Sequence, residues 1–96
     1  MNLFDFPKEA FPAEITTVLE ENKTVRIEKI VSCGQTTGWQ NQEENEWVLL
    51  LKGEAELAFE THKKRLTAGE YIIIPKHTRH RVSKTTECIW LCVFYT

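Results

Sequence analysis

With 96 residues, 42% of them hydrophobic, the chain has room for a single hydrophobic core and so for one domain over residues 1–96. Its net charge of −2, from twelve basic and fourteen acidic residues, gives no general field to attract nucleic acid, and no apolar run approaches the roughly 18 residues of a membrane span. So short a chain buries only about 60–65% of its unfolded surface on folding, which makes a second copy a ready source of further burial, and a homodimer is expected.

The opening residues, MNLFDFPKEAFPAE, have no basic stretch followed by an apolar one and carry acids that a transit peptide avoids, so a cytoplasmic location is expected. Phe4, Phe6, Pro7, Phe11 and Pro12 describe an irregular arm over residues 1–23, with rings that must pack on something and prolines that exclude it from a central strand. The outside of a sheet is its expected place. Within the arm, Ile15, Val18 and Leu19 recur at i, i+3 and i+4, and this spacing predicts a short helix between Pro12 and Asn22.

From Thr24 the period becomes two, and the barrel proper is expected over 24–96. Val25, Ile27, Lys29 and Val31 alternate with Arg26, Glu28, Ile30 and Ser32 in a predicted strand. A loop, GQTTG, follows. Glu46 to Leu51 predicts a strand apolar on both faces, Lys52-Gly53 a turn, and Ala55, Leu57 and Phe59 a strand that completes a hairpin. The short basic cluster Lys63-Lys64-Arg65 is expected at a solvated hairpin tip. Tyr71 to Ile74 predicts another two-faced strand, stopped by Pro75, and Glu87 to Tyr95 a last one. Short strands at intervals of about ten residues describe an all-β sandwich or barrel and exclude a helical bundle. Strands apolar on both sides need cover outside as well as a core inside, a second reason to expect a dimer.

Three cysteines, Cys33, Cys88 and Cys92, form no CxxC pair and no disulfide framework. Cys88 and Cys92 are four apart in a strand, so they share a face and read as buried thiols. No serine or cysteine nucleophile is spaced persuasively from a histidine, and no phosphate loop or dinucleotide fingerprint occurs, so no organic cofactor is indicated.

Polar residues gather at two places in this apolar frame: GWQNQEENEW, containing Gln40, Gln42 and Glu46, and PKHTRHRV, containing His77 and His80. If Glu46 opens the strand that runs through Val48 and Leu50, its carboxylate shares their inward side, where it must meet a cation, a histidine or a ligand.

These two stretches resemble the paired motifs of the cupin family. The first motif, G-x5-H-x-H-x3-E-x6-G, is matched by Gly34, Glu46 and Gly53; the second, G-x5-P-x-G-x2-H-x3-N, by Gly69, Pro75 and His80. The resemblance implies an antiparallel, jelly-roll β-barrel in which the two motifs bring four ligands onto one divalent metal. Both first-motif histidines are replaced, by Gln40 and Gln42; His77 stands at the family's glycine and Lys84 at its asparagine. The implied metal ligands are Gln40, Gln42, Glu46 and His80, with His77 a further candidate. Amide oxygens are weaker donors than imidazole for zinc, copper or iron, so the expected ion is manganese, iron or zinc, weakly held. His77 has a second reading, as a residue tolerating the left-handed backbone of the family glycine.

Trp39, just before the first motif, is expected in the ligand pocket, and Trp47 and Trp90 in the core or an interface. Function then divides three ways. One reading is a cupin that binds a divalent metal or a small polar ligand, as a metal-dependent oxygenase or isomerase; another is a non-catalytic, metal-free module for a sugar-like or carboxylate ligand; the third is a structural or regulatory subunit with a vestigial pocket.

Overall fold

The computed structural model describes residues 1–96 and contains eight strands and no helix. They are β1 (Ile15–Glu21), β2 (Val25–Cys33), β3 (Asn45–Lys52), β4 (Glu54–Phe59), β5 (Lys63–Thr67), β6 (Tyr71–Ile74), β7 (His80–Thr85) and β8 (Glu87–Tyr95). A five-stranded sheet in the order β1-β2-β8-β3-β6 faces a three-stranded sheet in the order β5-β4-β7, with every pairing antiparallel. This is the expected jelly-roll barrel. With no helix at all, none is long and apolar enough to cross a membrane.

Two local expectations are corrected. The segment predicted as a helix between Pro12 and Asn22 is β1, hydrogen-bonded to β2 at the sheet edge, so the barrel begins at Ile15 rather than at 24. Ile15, Thr16, Thr17 and Val18 are consecutive β-branched residues that suit a strand, and pairing with β2 outweighs a three-residue helical spacing. Lys63-Lys64-Arg65 is no hairpin tip either: it opens β5, paired with β4, and its side chains are exposed. Leu66, wholly buried, holds β5 in place.

Ahead of β1 the arm lies where expected, outside the sheet. Lys29 Nζ on the outer face of β2 donates to the Asp5 carbonyl at 2.6 Å, and Gln35 Nε2 donates to the Phe11 carbonyl at 3.0 Å. Phe6 packs on Phe11 and under the Lys52 ammonium.

Between the sheets the interior is graded. One cluster of ten buried residues runs along it, from Leu50, Leu66 and Cys88 at the apolar end to Cys92 and Phe94 at the other. Antiparallel register sets Leu50 opposite Trp90, Val48 opposite Cys92 and Glu46 opposite Phe94, so each step of two along β3 moves toward the polar end. Burying a Leu of this kind contributes about 1.5–3 kcal/mol, which makes a slip of β3 by one residue prohibitive and fixes where Glu46 points.

Candidate functional site

The polar end of the barrel holds a cavity of about 290 Å³. Gln40, Gln42, Glu46 and His80 all line it, so four residues expected to act together are together. Glu46 enters from the start of β3 and His80 from the start of β7, on opposite sheets. The loop between β2 and β3 runs beside β7 and is stitched to it: Thr37 N donates to Val82 O, and Val82 N donates to Thr37 Oγ1. Gln40 and His80 then exchange backbone hydrogen bonds in an isolated bridge.

Glu46 is 8% exposed. Its Oε1 accepts from Gln42 Nε2 at 3.1 Å and faces His80 Nε2 at 4.0 Å. Burial pushes its carboxyl pKa up, against the opposing pull of the Gln42 hydrogen bond, the Cys92 thiol and the His80 ring. His80 is 3% exposed, and its Nδ1 lies 2.8 Å from the Thr78 carbonyl. A carbonyl only accepts, so Nδ1 carries a proton, and Nε2 is the ring nitrogen that faces Glu46. Cys92 borders the same space with its thiol pKa pushed well up, first by burial and then by the Glu46 charge, which keeps it protonated.

Arg26, Glu28 and Glu44 also line the cavity and were not singled out in the sequence. Arg26 Nε donates to Glu28 at 2.8 Å, its two terminal nitrogens bracket Glu44 at 3.1 and 3.0 Å, and its plane lies 4.4 Å from the Phe94 ring centre. The available signal was the alternation in β2: Arg26, Glu28 and Ile30 are its inward set, and the more apolar set faces out. A polar inner face on a barrel strand marks a polar interior.

His77 and Trp39 lie apart from the cavity. His77 has φ 64°, the left-handed conformation, and its exposed ring reaches only Glu43, 3.7 Å away. Trp39 is 43% exposed and sits beneath the guanidinium groups of Arg79 and Arg81, not in the cavity lining. Of the other tryptophans, Trp47 stacks on Tyr71 on the outer face, and Trp90 is core, donating from Nε1 to Ser32 Oγ at 3.3 Å.

The family now has direct support. The Cupin domain family matches residues 28–94. This chain belongs to the cupin family. A protein of Ralstonia eutropha JMP134, provisionally named a mannose-6-phosphate isomerase, is 34% identical with a TM-score of 0.92, over 99% of this chain and 95% of that one. A cupin superfamily protein of Desulfitobacterium hafniense is 18% identical with a TM-score of 0.84, over 93% of this chain and 83% of that one. An RmlC-like cupin of Desulfovibrio desulfuricans is 18% identical with a TM-score of 0.83, over 99% and 93%. No curated protein matches the chain.

As a cupin metal centre the donor set does not fit a tightly held ion. No group of three His, Cys, Asp or Glu side chains is placed to hold one. Glu46 and His80 are the two strong donors, and the Gln42 amide is engaged as a donor to Glu46.

Proposed function

We propose that this cupin binds a small hydroxyl-bearing, sugar-like molecule inside its barrel, gripped by Glu46 and His80 with Gln40 and Gln42 beside them. One observation carries the reading: the buried Glu46 carboxyl and the buried His80 Nε2 line one cavity 4.0 Å apart, close enough for a ligand hydroxyl beside them to hydrogen-bond to both. Support also comes from the provisional name of the Ralstonia relative, a sugar-phosphate isomerase.

A catalytic version would use the same pair. A carboxylate and an imidazole on opposite walls can take and return a proton, as an aldose–ketose isomerisation demands. The metal-dependent version would rest on Glu46 and His80 alone as strong ligands for manganese, iron or zinc.

Calorimetric titration of untagged protein with a panel of neutral monosaccharides, with and without chelator, tests the reading. Chelator-insensitive binding that disappears in His80→Ala supports it. Binding seen only after metal loading, with stoichiometric metal by elemental analysis, would transfer the role to an ion; no binding to any sugar would end the reading.

Self-association fits the same molecule. Tyr71 and Ile73 on β6 are 60% and 52% exposed and continue the outer face of Trp47, a surface on which a second copy would bury apolar area. Sedimentation at micromolar concentration is expected to give a dimer that Ile73→Glu dissociates.

A further inference from the structure

The groups left unmatched in the cavity are acceptors. Four carboxylates line it, Glu14, Glu28, Glu44 and Glu46, against one guanidinium, Arg26, and one imidazole, His80. Arg26 is already matched, held by Glu28 on one side and bracketed onto Glu44 on the other. Glu14 has no cation beside it, and Glu46 faces only the His80 ring, at 4.0 Å.

A second observation is independent of this charge count. The His80 ring, almost wholly buried, spends Nδ1 on Thr78, and its Nε2, 4.0 Å from Glu46 Oε1, makes no hydrogen bond within the protein. Glu46, buried likewise, accepts from Gln42 through Oε1 and retains further acceptor capacity. Two deeply buried groups 4.0 Å apart thus keep bonding capacity for a ligand, in a lining where carboxylates outnumber cations. A hydroxyl supplies a donor without charge. Phosphate or carboxylate supplies acceptors and more negative charge, where like charges already crowd.

We infer that the cavity takes a ligand bearing an ammonium group and rejects one bearing phosphate or carboxylate. An ammonium offers three N–H donors to Glu46 and the acceptors around it, and its charge offsets the excess of carboxylates in the lining. This deepens the proposed binding role and rests on it: the substrate class becomes an amino sugar or amino alcohol, not the sugar phosphate that the relative's name would suggest.

Ethanolamine and inorganic phosphate serve as probes on the full chain, followed by NMR at the His80 imidazole and the Trp90 indole, near neutral pH and at low ionic strength. Ethanolammonium is expected to shift both signals saturably, and phosphate to leave them unmoved at about tenfold higher concentration. Glu46→Gln, which preserves shape and the Gln42 contact, is expected to weaken ethanolammonium binding about tenfold or more. Phosphate shifting the signals as strongly, ethanolammonium leaving them unmoved, or unchanged affinity in Glu46→Gln overturns the inference. Ethanolammonium binding alongside failure of every neutral sugar would remove the hydroxyl component of the proposed function and leave the charge preference standing.

Discussion

Gln40 and His80 stand opposite each other in an isolated antiparallel bridge, Gln40 N donating to His80 O at 2.7 Å and His80 N to Gln40 O at 3.0 Å. Backbone atoms alone make this bridge, so the position of residue 40 beside the imidazole is independent of its side chain. The cupin architecture therefore persists although the family's first-motif imidazoles are gone.

Restoring those imidazoles should restore a metal centre. The double substitution Gln40→His and Gln42→His places two more rings beside Glu46 and His80, a donor set that suits zinc, nickel or iron. Near-stoichiometric metal by elemental analysis is expected in the double variant, with a chelator-sensitive rise in melting temperature. Failure to retain metal after loading would show that residues 40 and 42 do not converge on the Glu46–His80 pair.

Stability should depend on the charge of Glu46. Burial raises its pKa, so the folded protein holds that proton more tightly than the unfolded chain, and stability falls as pH rises from the ordinary carboxyl range through the raised value. Glu28, His80, Gln42 and Cys92 face the same carboxyl and contribute smaller effects. Glu46→Gln removes the ionisation, so its melting temperature relative to the parent is expected to be more favourable at pH 8 than at pH 5. Equal differences at the two pH values would contradict the raised pKa.

His77 occupies a backbone conformation better suited to glycine. The left-handed region costs a non-glycine residue roughly 1–2 kcal/mol, and glycine gives back about 0.5–1 kcal/mol through its looser unfolded state. His77→Gly should therefore stabilise the fold by up to about 1 kcal/mol in chemical denaturation and leave ligand binding unchanged. Weakened binding would restore His77 as a candidate site residue.

Gly53 is the opposite case. It turns the chain between β3 and β4 at φ 91°, and a Cβ there would overlap the Glu87 carbonyl oxygen and crowd Cys88 Sγ and Thr86 Oγ1 at 2.9 Å each. Backbone strain and overlap act together, so Gly53→Ala is expected to cost about 3 kcal/mol or more, measured by urea unfolding.

Legibility in the sequence followed the strength of the local constraint. The motif positions Gly34, Glu46, Gly53, Gly69, Pro75 and His80 are tied to turns and strand starts, and they foretold the barrel and the convergence of Glu46 with His80. β1 escaped because an exposed edge strand needs no strict alternation, and its pairing with β2 is invisible locally. β5 carries a single buried side chain, Leu66, too little for a period. Trp39 looked like a pocket aromatic by its place before the first motif, but the loop's pairing along β7 brings it to Arg79 and Arg81 instead. Arg26 and Glu28 were passed over because strand alternation does not say which face is inner, and Glu44 because it lies in the bend before β3, outside any period.

The burial of Cys88 and Cys92 has a practical corollary, since alkylating reagents attack the thiolate and both thiols are shut away, the second held protonated beside Glu46. Cys33, at the end of β2, is the one thiol open to solvent. The native chain therefore carries its own single-point attachment handle, and a fluorophore coupled by maleimide at Cys33 would report on the barrel without altering any residue inside it.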